Sequence, residues 1–390
     1  MTARLYYEDS YLTSFRASVA ETREEEKKIY LDRTAFYPAS GGQPHDLGTV
    51  NGIPVVEVID EGENIAHLLA SPLNGTQVEG EIDWNRRFDH MQQHSGQHLL
   101  SAVLAELFHF TTVSFHLGAE ASTIDLETPS ISGAQLVRAE QRVNELIFAN
   151  RPIAVSFEES AEAGGLRKAS ERTGTLRIVT IQDLDRSACG GTHVRSTGEI
   201  GPVLLRKIEK IRGNVRLEFL CGMRSVRRAR ADFEALSQVA QVFSSALDDV
   251  PGLVAAQQAK LQDADKSRRK LAAELAVRRG RDLYDSSAPG PRESRVYETA
   301  AQSGIGEEIR NEANGFVSQP KAVYLALCKS PPSLLLAVTA DSGINAGEVL
   351  KRLLTEAGGR GGGTPQLAQG SVPDVAALDA LVAKLRSMLS

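Results

Sequence analysis

Cysteine is scarce in this chain. Only Cys189, Cys221 and Cys328 occur among 390 residues. They are far apart and odd in number, so a disulfide framework is not expected and a reducing compartment is. No uninterrupted apolar run reaches the roughly 18 residues that a membrane-spanning helix needs. The opening residues MTARLYYEDS carry no charged-then-apolar signal pattern, so a cytoplasmic location is expected. Net positive charge is missing too. The charge is −6 at pH 7 and the pI about 5.9, which argues against a simple electropositive nucleic-acid binder while leaving room for a local basic patch. No long internal repeat and no Ser-His-Asp arrangement is evident. With 42% hydrophobic residues and a mean hydropathy of −0.22, the chain fits a soluble protein with real cores. Its length allows two to four domains.

The richest stretch runs from Asp89 to Phe108, DHMQQHSGQHLLSAVLAELF. It reads as a helix with Asp89 as N-cap. His94 and His98 are four apart, so both rings leave one face. Leu99, Leu100, Val103 and Leu107 fall on another arc, suited to a core. His90 adds a third ring on the histidine arc, and a solvated N-terminal residue is its default reading. Cys189 to His193, Cys-Gly-Gly-Thr-His, supplies a thiolate and a further imidazole with little bulk between them. One sulfur and three nitrogens suit zinc, a borderline-soft ion. Four protein ligands favour a structural site, whereas the glycines and the two-part layout favour the mouth of a pocket. The residues leave both open.

The chain reads as a multidomain α+β protein. Residues 1–88 hold short β-prone runs, Lys28 to Leu31, Pro54 to Val58 and Val78 to Ile82, separated by turn signals such as Asn51-Gly52. A small antiparallel β-barrel is expected there. Residues 89–222 read as an α+β metal-binding domain. After the histidine helix come strands at Thr111 to His116 and Ser122 to Leu126, a helix from Ser132 to Ala149, and strands Ile153 to Phe157, Leu176 to Ile181, Pro202 to Ile211 and Asn214 to Leu220, all in one sheet. Residues 223–288 carry Val226, Ala229, Phe233, Leu236, Ala240, Phe243 and Leu247 at heptad spacing. Pro251-Gly252 breaks that run and a second helix follows, so an antiparallel helical hairpin is expected, with a homodimer through its seam as one outcome. Ser286 to Pro291 reads as a linker. Residues 289–390 alternate helix and strand, with a helix from Glu298, as a small α/β domain.

Two glycine-bearing segments stand out. Phe36 to Pro44, FYPASGGQP, is a turn whose glycines let backbone N–H groups approach a ligand, and a tight hairpin is its plainer reading. Gly358 to Gly363, GGRGGG, lacks the Lys-Ser/Thr ending of a Walker loop. It is either a flexible loop or a backbone surface for a phosphate chain, with Lys351, Arg352 and Arg360 nearby.

Thr34 to Gly48, Met91 to Leu100 and Cys189 to His193 resemble the editing domain of alanyl-tRNA synthetase. They resemble still more the long form of the free-standing alanyl-tRNA editing proteins. GGRGGGTPQLAQGS, Gly358 to Ser371, resembles the glycine-rich motif of the C-terminal domain that those synthetases share with some phosphoesterases. Ser40 departs from the family, where many relatives carry glycine. The editing-like region starts at the N-terminus, so no aminoacylation domain is expected. Threonyl-tRNA synthetase editing domains share both ligand motifs and lack this C-terminal domain.

The resemblance implies hydrolysis of the ester between a wrong amino acid, chiefly serine with glycine as a second candidate, and alanine tRNA. It implies one zinc held by His94, His98, Cys189 and His193, with His94, His98 and Cys189 in the catalytic site. Gly41 and Gly42 would bind substrate, and Thr34 and Gln43 would read the serine hydroxyl. Arg360, Gly361 and Gly362 would contact tRNA. Direct attack by water is favoured over a covalent intermediate. The alternatives are a zinc-stapled tRNA-binding module without catalysis and a phosphoesterase. The aspartate-histidine metal motifs of the latter are absent.

Overall fold

A computed structural model of the chain describes all residues except 24, 26, 170–172, 291, 292 and 390. They form two compact units, Met1–Val239 and Ala240–Ser390.

In the first unit, strands Ser14–Arg23, Lys28–Leu31, Asn64–Leu69, Ile53–Glu61, Gly48–Val50 and Gln77–Ile82 pair in that cyclic order, each antiparallel to the next, and close on themselves. Alternation drives the closure: along Gln77–Ile82 every second residue is buried, the period-two pattern of a strand with one face on a core. Phe15, Ile29, Leu31, Val50, Val58, Ile65 and Val78 fill the interior.

Helix α1, Trp84–Phe108, follows at once. Its cap is Asp83, whose carboxylate accepts from the Arg86 N–H at 3.2 Å. Asp89 therefore lies inside the helix rather than capping it, and it binds Arg224 instead. The expected division at 88/89 falls within this helix. From His90 to Leu104 every residue of α1 is buried, so the leucine arc and the histidine arc both face protein. Leu99, Leu100 and Val103 pack with Ile124, Val143 and Phe219. Gly96 permits the close approach of Asn214–Cys221, since a Cβ there would sit 2.2 Å from Cys221 Sγ.

The single sheet expected next is two sheets. One runs Val203–Ile211, Asn214–Cys221, Ser122–Leu126, Thr112–Leu117, and the other Ile153–Glu159, Thr175–Ile181, Asp185–Ala188. The last strand is too short and polar to show as a strand in the sequence. It exists because a tight turn with Asp183 at φ 53° returns the chain onto Ile178–Ile181. Helix α2, Gly133–Phe148, opens with a capping box between Ser132 and Gln135 and buries Ala139, Val143, Leu146 and Ile147.

Helix α3 spans Met223–Phe243 and α4 spans Val250–Ser286. Leu247 lies in a 3-10 turn between them, and Pro251 sits in the first turn of α4. There its missing N–H costs nothing, so it starts a helix rather than breaking one. Ser286 is still helical, which shortens the expected linker, and Pro291 is outside the described residues.

The second unit holds a five-stranded sheet ordered Arg295–Ala301, Ala322–Lys329, Pro332–Val338, Leu367–Ser371, Arg360–Gly363. Glu298 thus belongs to an edge strand, not a helix. Helices α5, Glu307–Phe316, α6, Ala346–Glu356, and α7, Val375–Leu389, bury Phe316, Leu350, Leu354, Leu381 and Leu385. The glycine run is an exposed edge strand rather than a flexible loop.

Helices α4 and α5 touch backbone to backbone. A Cβ on Gly280 would lie 2.0 Å from the Glu312 carbonyl oxygen, and one on Gly315 2.0 Å from that of Val277. Replacing an interior helical glycine by alanine normally stabilises by about 1 kcal/mol. Here Gly280→Ala is expected to destabilise by about 1–3 kcal/mol through overpacking. Urea unfolding followed in the second unit measures it, and a more stable variant would refute the close approach.

Candidate metal centre

The two ligand motifs meet. The ligand atoms of His94, His98, Cys189 and His193 all lie within 4.8 Å of one another. Cys189 Sγ is 3.4 Å from His94 Nε2 and 3.3 Å from His193 Nε2. Nitrogen at about 2.0 Å and sulfur at about 2.3 Å from an ion, along tetrahedral directions, would be roughly 3.5 Å apart. The donor set fits such a metal ion. The three histidines are buried and Cys189 is partly buried.

Each imidazole is held from behind. His94 Nδ1 is 2.8 Å from Gln43 Oε1, His193 Nδ1 is 3.1 Å from Ser95 Oγ, and His98 Nδ1 is 3.4 Å from Asp185 Oδ2. That leaves Nε2 of each ring for the centre. Outer partners of this kind fix ring orientation and raise ligand basicity. Asp185 is itself held by Arg167 Nε at 2.7 Å and Ser187 Oγ at 2.9 Å. Asp185, Ser95 and Thr192 were not singled out in the sequence. Their signal is position alone, Asp185 four residues before Cys189 and Ser95 directly after His94.

The electrostatics match a ligand cluster. Burial works to raise the Cys189 thiol, but the charges of His94 and His193 overcome it and hold Cys189 well below the usual thiol value. Burial and then the His94 charge lower His193 to about 3. Burial also acts to lower His98, yet its hydrogen bonds to Asp185 and Cys189 lift it to about 9. A metal ion held by these four side chains would compete with protons for the same nitrogen and sulfur atoms.

The local chain geometry is set by small residues. A Cβ on Gly191 would sit 2.2 Å from His94 Cε1, so the second glycine of Cys-Gly-Gly-Thr-His is fixed by the ring beneath it. Gly41 and Gly42 adopt φ 54° and 81°, and the turn closes with the Ser40 N–H donating to the Gln43 carbonyl at 3.1 Å and the reverse bond at 2.9 Å. Gly42 lies against Phe115, which stands beside His94.

The turn reaches the cluster through Gln43. Its Oε1 meets His94 Nδ1 and accepts from the Thr192 N–H at 3.2 Å, and its Nε2 donates to Thr192 Oγ1 at 2.8 Å. Both amide atoms of Gln43 are thus engaged within the protein. Thr34 is likewise engaged: its hydroxyl is 2.8 Å from His67 Nε2 and accepts from the Phe36 N–H. His90 is buried, not solvated, and burial followed by the Arg86 charge lowers it to about 4. It is outside the ligand cluster. Arg360, Gly361 and Gly362 belong to the second unit.

Three clefts converge on Cys189. One is walled by His98, Phe115 and Arg167, a second by Tyr7, Phe157 and Arg177, and a third by Tyr37, Gly41 and His94. The thiolate side of the cluster is therefore its open side. Gln43→Leu and Asp185→Asn are each expected to lower zinc affinity about 10–100-fold. Competition against a chromogenic chelator reads this, and a Gln43→Leu protein with undiminished affinity would refute the bracing role.

Known proteins resemble this chain in sequence along its whole length. The family model "Threonyl and Alanyl tRNA synthetase second additional domain" matches residues 176–218, and the "DHHA1 domain" model matches 305–390. Over full length the chain is 30% identical to the alanyl-tRNA editing protein AlaX-L of Pyrococcus horikoshii, covering 100% of both chains. It is 32% identical to the alanyl-tRNA editing protein Aarsd1 of Mus musculus, covering 88% of this chain and 84% of that one. It is also 30% identical to the alanine–tRNA ligase of Pyrococcus abyssi, where 96% of this chain matches 42% of the longer protein. The C-Ala domain of Aquifex aeolicus alanyl-tRNA synthetase, a solved structure, matches 25% of this chain at 24% identity with a TM-score of 0.23. With AlaX-L matched end to end and both ligand motifs brought to one buried point, this chain belongs to the alanyl-tRNA editing protein family.

Proposed function

We propose that this chain deacylates alanine tRNA wrongly charged with serine, at a zinc ion held by His94, His98, Cys189 and His193. The observation that carries this is the convergence of one thiolate and three braced imidazoles at the meeting point of three clefts. A bound zinc would polarise an ester carbonyl or lower the pKa of a water to about 7. The rest is the work of the chain. Gln43, Ser95 and Asp185 hold the rings. The partly exposed Cys189, common to all three clefts, marks the side on which the ester enters. Water is the favoured nucleophile, because Cys189 is engaged with two imidazoles and Ser95 Oγ, paired with His193, accepts from the buried Val194 N–H at 3.1 Å.

Serine differs from alanine by one hydroxyl. A site that hydrogen-bonds this group can discriminate on the order of 10⁴ or more, because alanine leaves its polar groups unpaired. The ester and amino group, which both substrates share, face the cluster. Discrimination therefore belongs to the cleft wall beside Gly41. Arg360, Gly361 and Gly362, on an exposed edge strand, are proposed to touch the tRNA backbone. The salt dependence of tRNA binding by Arg360→Gln tests that. The exposed Phe233 and Val242 of α3 and Leu261 and Leu271 of α4 favour pairing of two copies, which sedimentation at micromolar concentration reads.

The decisive assay is release of free serine from serine-charged alanine tRNA. Release is expected from the zinc-loaded protein, with alanine-charged tRNA spared, and it should disappear with a chelator and in Cys189→Ala. Tight tRNA binding with no serine release would favour a binding module and contradict the hydrolytic reading.

A further inference from the structure

Three arginines are buried among the described residues: Arg87, Arg177 and Arg224. Two have carboxylate partners, Asp46 for Arg87 and Asp89 for Arg224. Arg177 has none. Its Nε donates to the Tyr7 carbonyl at 3.0 Å and its Nη1 to the Cys189 carbonyl at 2.8 Å. Its Nη2 is buried without any hydrogen-bond partner. At 8% exposure, this is a desolvated guanidinium fixed by two backbone oxygens, with the Cys189 sulfur as its nearby negative group and no carboxylate beside it among the described residues. Burying a charge without a counter-charge is costly. A chain that pairs its other buried arginines internally, and leaves this one in the wall of an open cleft, points to a ligand that brings the anion.

That cleft is lined by Arg177, Tyr7, Phe115, Phe157 and Cys189. The chemistry of the proposed substrate narrows the anion. In an aminoacyl ester the amino acid has lost its carboxylate and keeps a cationic amino group. The ribose and base are neutral. The nearest negative charge to the scissile ester is the phosphodiester that joins the terminal nucleotide to its neighbour. We propose that this phosphodiester sits in the Arg177 cleft, with its charge balanced by the Arg177 guanidinium, so that Arg177 sets the depth at which the ester meets the Cys189 side of the cluster. Half-exposed Phe157, with Tyr7 and Phe115, offers ring faces on which a base can stack. The inference rests on the hydrolytic reading of the same site.

The test crosses two changes, one in the protein and one in the substrate. Arg177→Gln removes the charge and keeps a donor for the Cys189 carbonyl. A serine-charged alanine minihelix carrying a neutral methylphosphonate at the last linkage removes the phosphate charge. With the wild-type protein, the neutral linkage is expected to lower kcat/KM roughly ten- to a hundredfold, the range of a charged hydrogen bond. Arg177→Gln should lose a similar factor on the natural linkage and almost nothing further on the neutral one, with zinc content and thermal unfolding unchanged. Arg177→Lys, which keeps the charge, should remain sensitive to the linkage and covers the case in which the glutamine variant does not fold. If the two losses multiply, Arg177 merely braces the Cys189 backbone and the proposal falls. If the wild-type protein ignores the linkage, it falls as well. Binding of the uncharged minihelix, measured in the same combinations, reads the cleft without hydrolysis. A protein that shows the charge coupling in binding but releases no serine keeps this pairing and refutes the hydrolytic reading instead.

Discussion

The ion pair between Arg87 and Asp46 fixes the frame on which the site is built. Both side chains are fully buried. Arg87 spends its remaining donors on the Ser10 carbonyl at 2.9 Å and the Ala35 carbonyl at 2.5 Å, and Asp46 accepts the Tyr37 N–H at 2.6 Å. One guanidinium thus binds the start of α1 to both ends of the segment that carries the Gly41-Gly42 turn. Such a pair contributes little net stability over an apolar replacement, but losing one partner strands a buried charge at a cost of about 3–5 kcal/mol. Its value here is positional. Arg87 lies seven residues before His94, two turns down the same helix, so the pair that anchors the turn also aligns Gln43 with His94 Nδ1.

From that anchor outward the site is a set of compensated costs. Three imidazoles and a thiol packed at one buried point would be unfavourable as neutral strangers. Gln43, Ser95 and Asp185 each satisfy one ring nitrogen, and the thiolate is offset by the neighbouring imidazoles. The four ligands come from two segments about ninety residues apart in sequence, so binding a metal ion there also closes a long loop and ties α1 to the Asp185–Ala188 strand. The greater exposure of Cys189 follows from the same arrangement, because α1 is buried from His90 to Leu104 while Cys189 lines all three clefts.

Much of this was legible in the chain before any coordinates. His94 and His98 at helical spacing, and Cys189 and His193 across two glycines, identified all four members of the cluster. The helix capped by Ser132 and the strands at Lys28–Leu31 and Ser122–Leu126 also stand where periodicity puts them, because burial on one face imprints a pattern that survives in a single sequence. Other features left no such imprint. Asp89 reads as a cap, yet the helix begins earlier, where Asp83 accepts the Arg86 N–H and Asp89 binds Arg224 instead. The strand Asp185–Ala188 is polar and four residues long, so nothing periodic marks it. Glycine-rich Arg360–Gly363 reads as a loop, yet it can be a strand because its partner, not its side chains, holds it. The partners of Gln43, His94 and Thr192, were not legible, since which groups meet an amide depends on residues distant in sequence.

The account rests on a metal ion bound by one sulfur and three nitrogens. X-ray absorption at the zinc edge of the purified full chain tests that most directly. The prediction is a single shell with one sulfur at about 2.3 Å and three nitrogens at about 2.0 Å. An all-nitrogen-and-oxygen shell, or a protein that takes up no stoichiometric zinc, would contradict it.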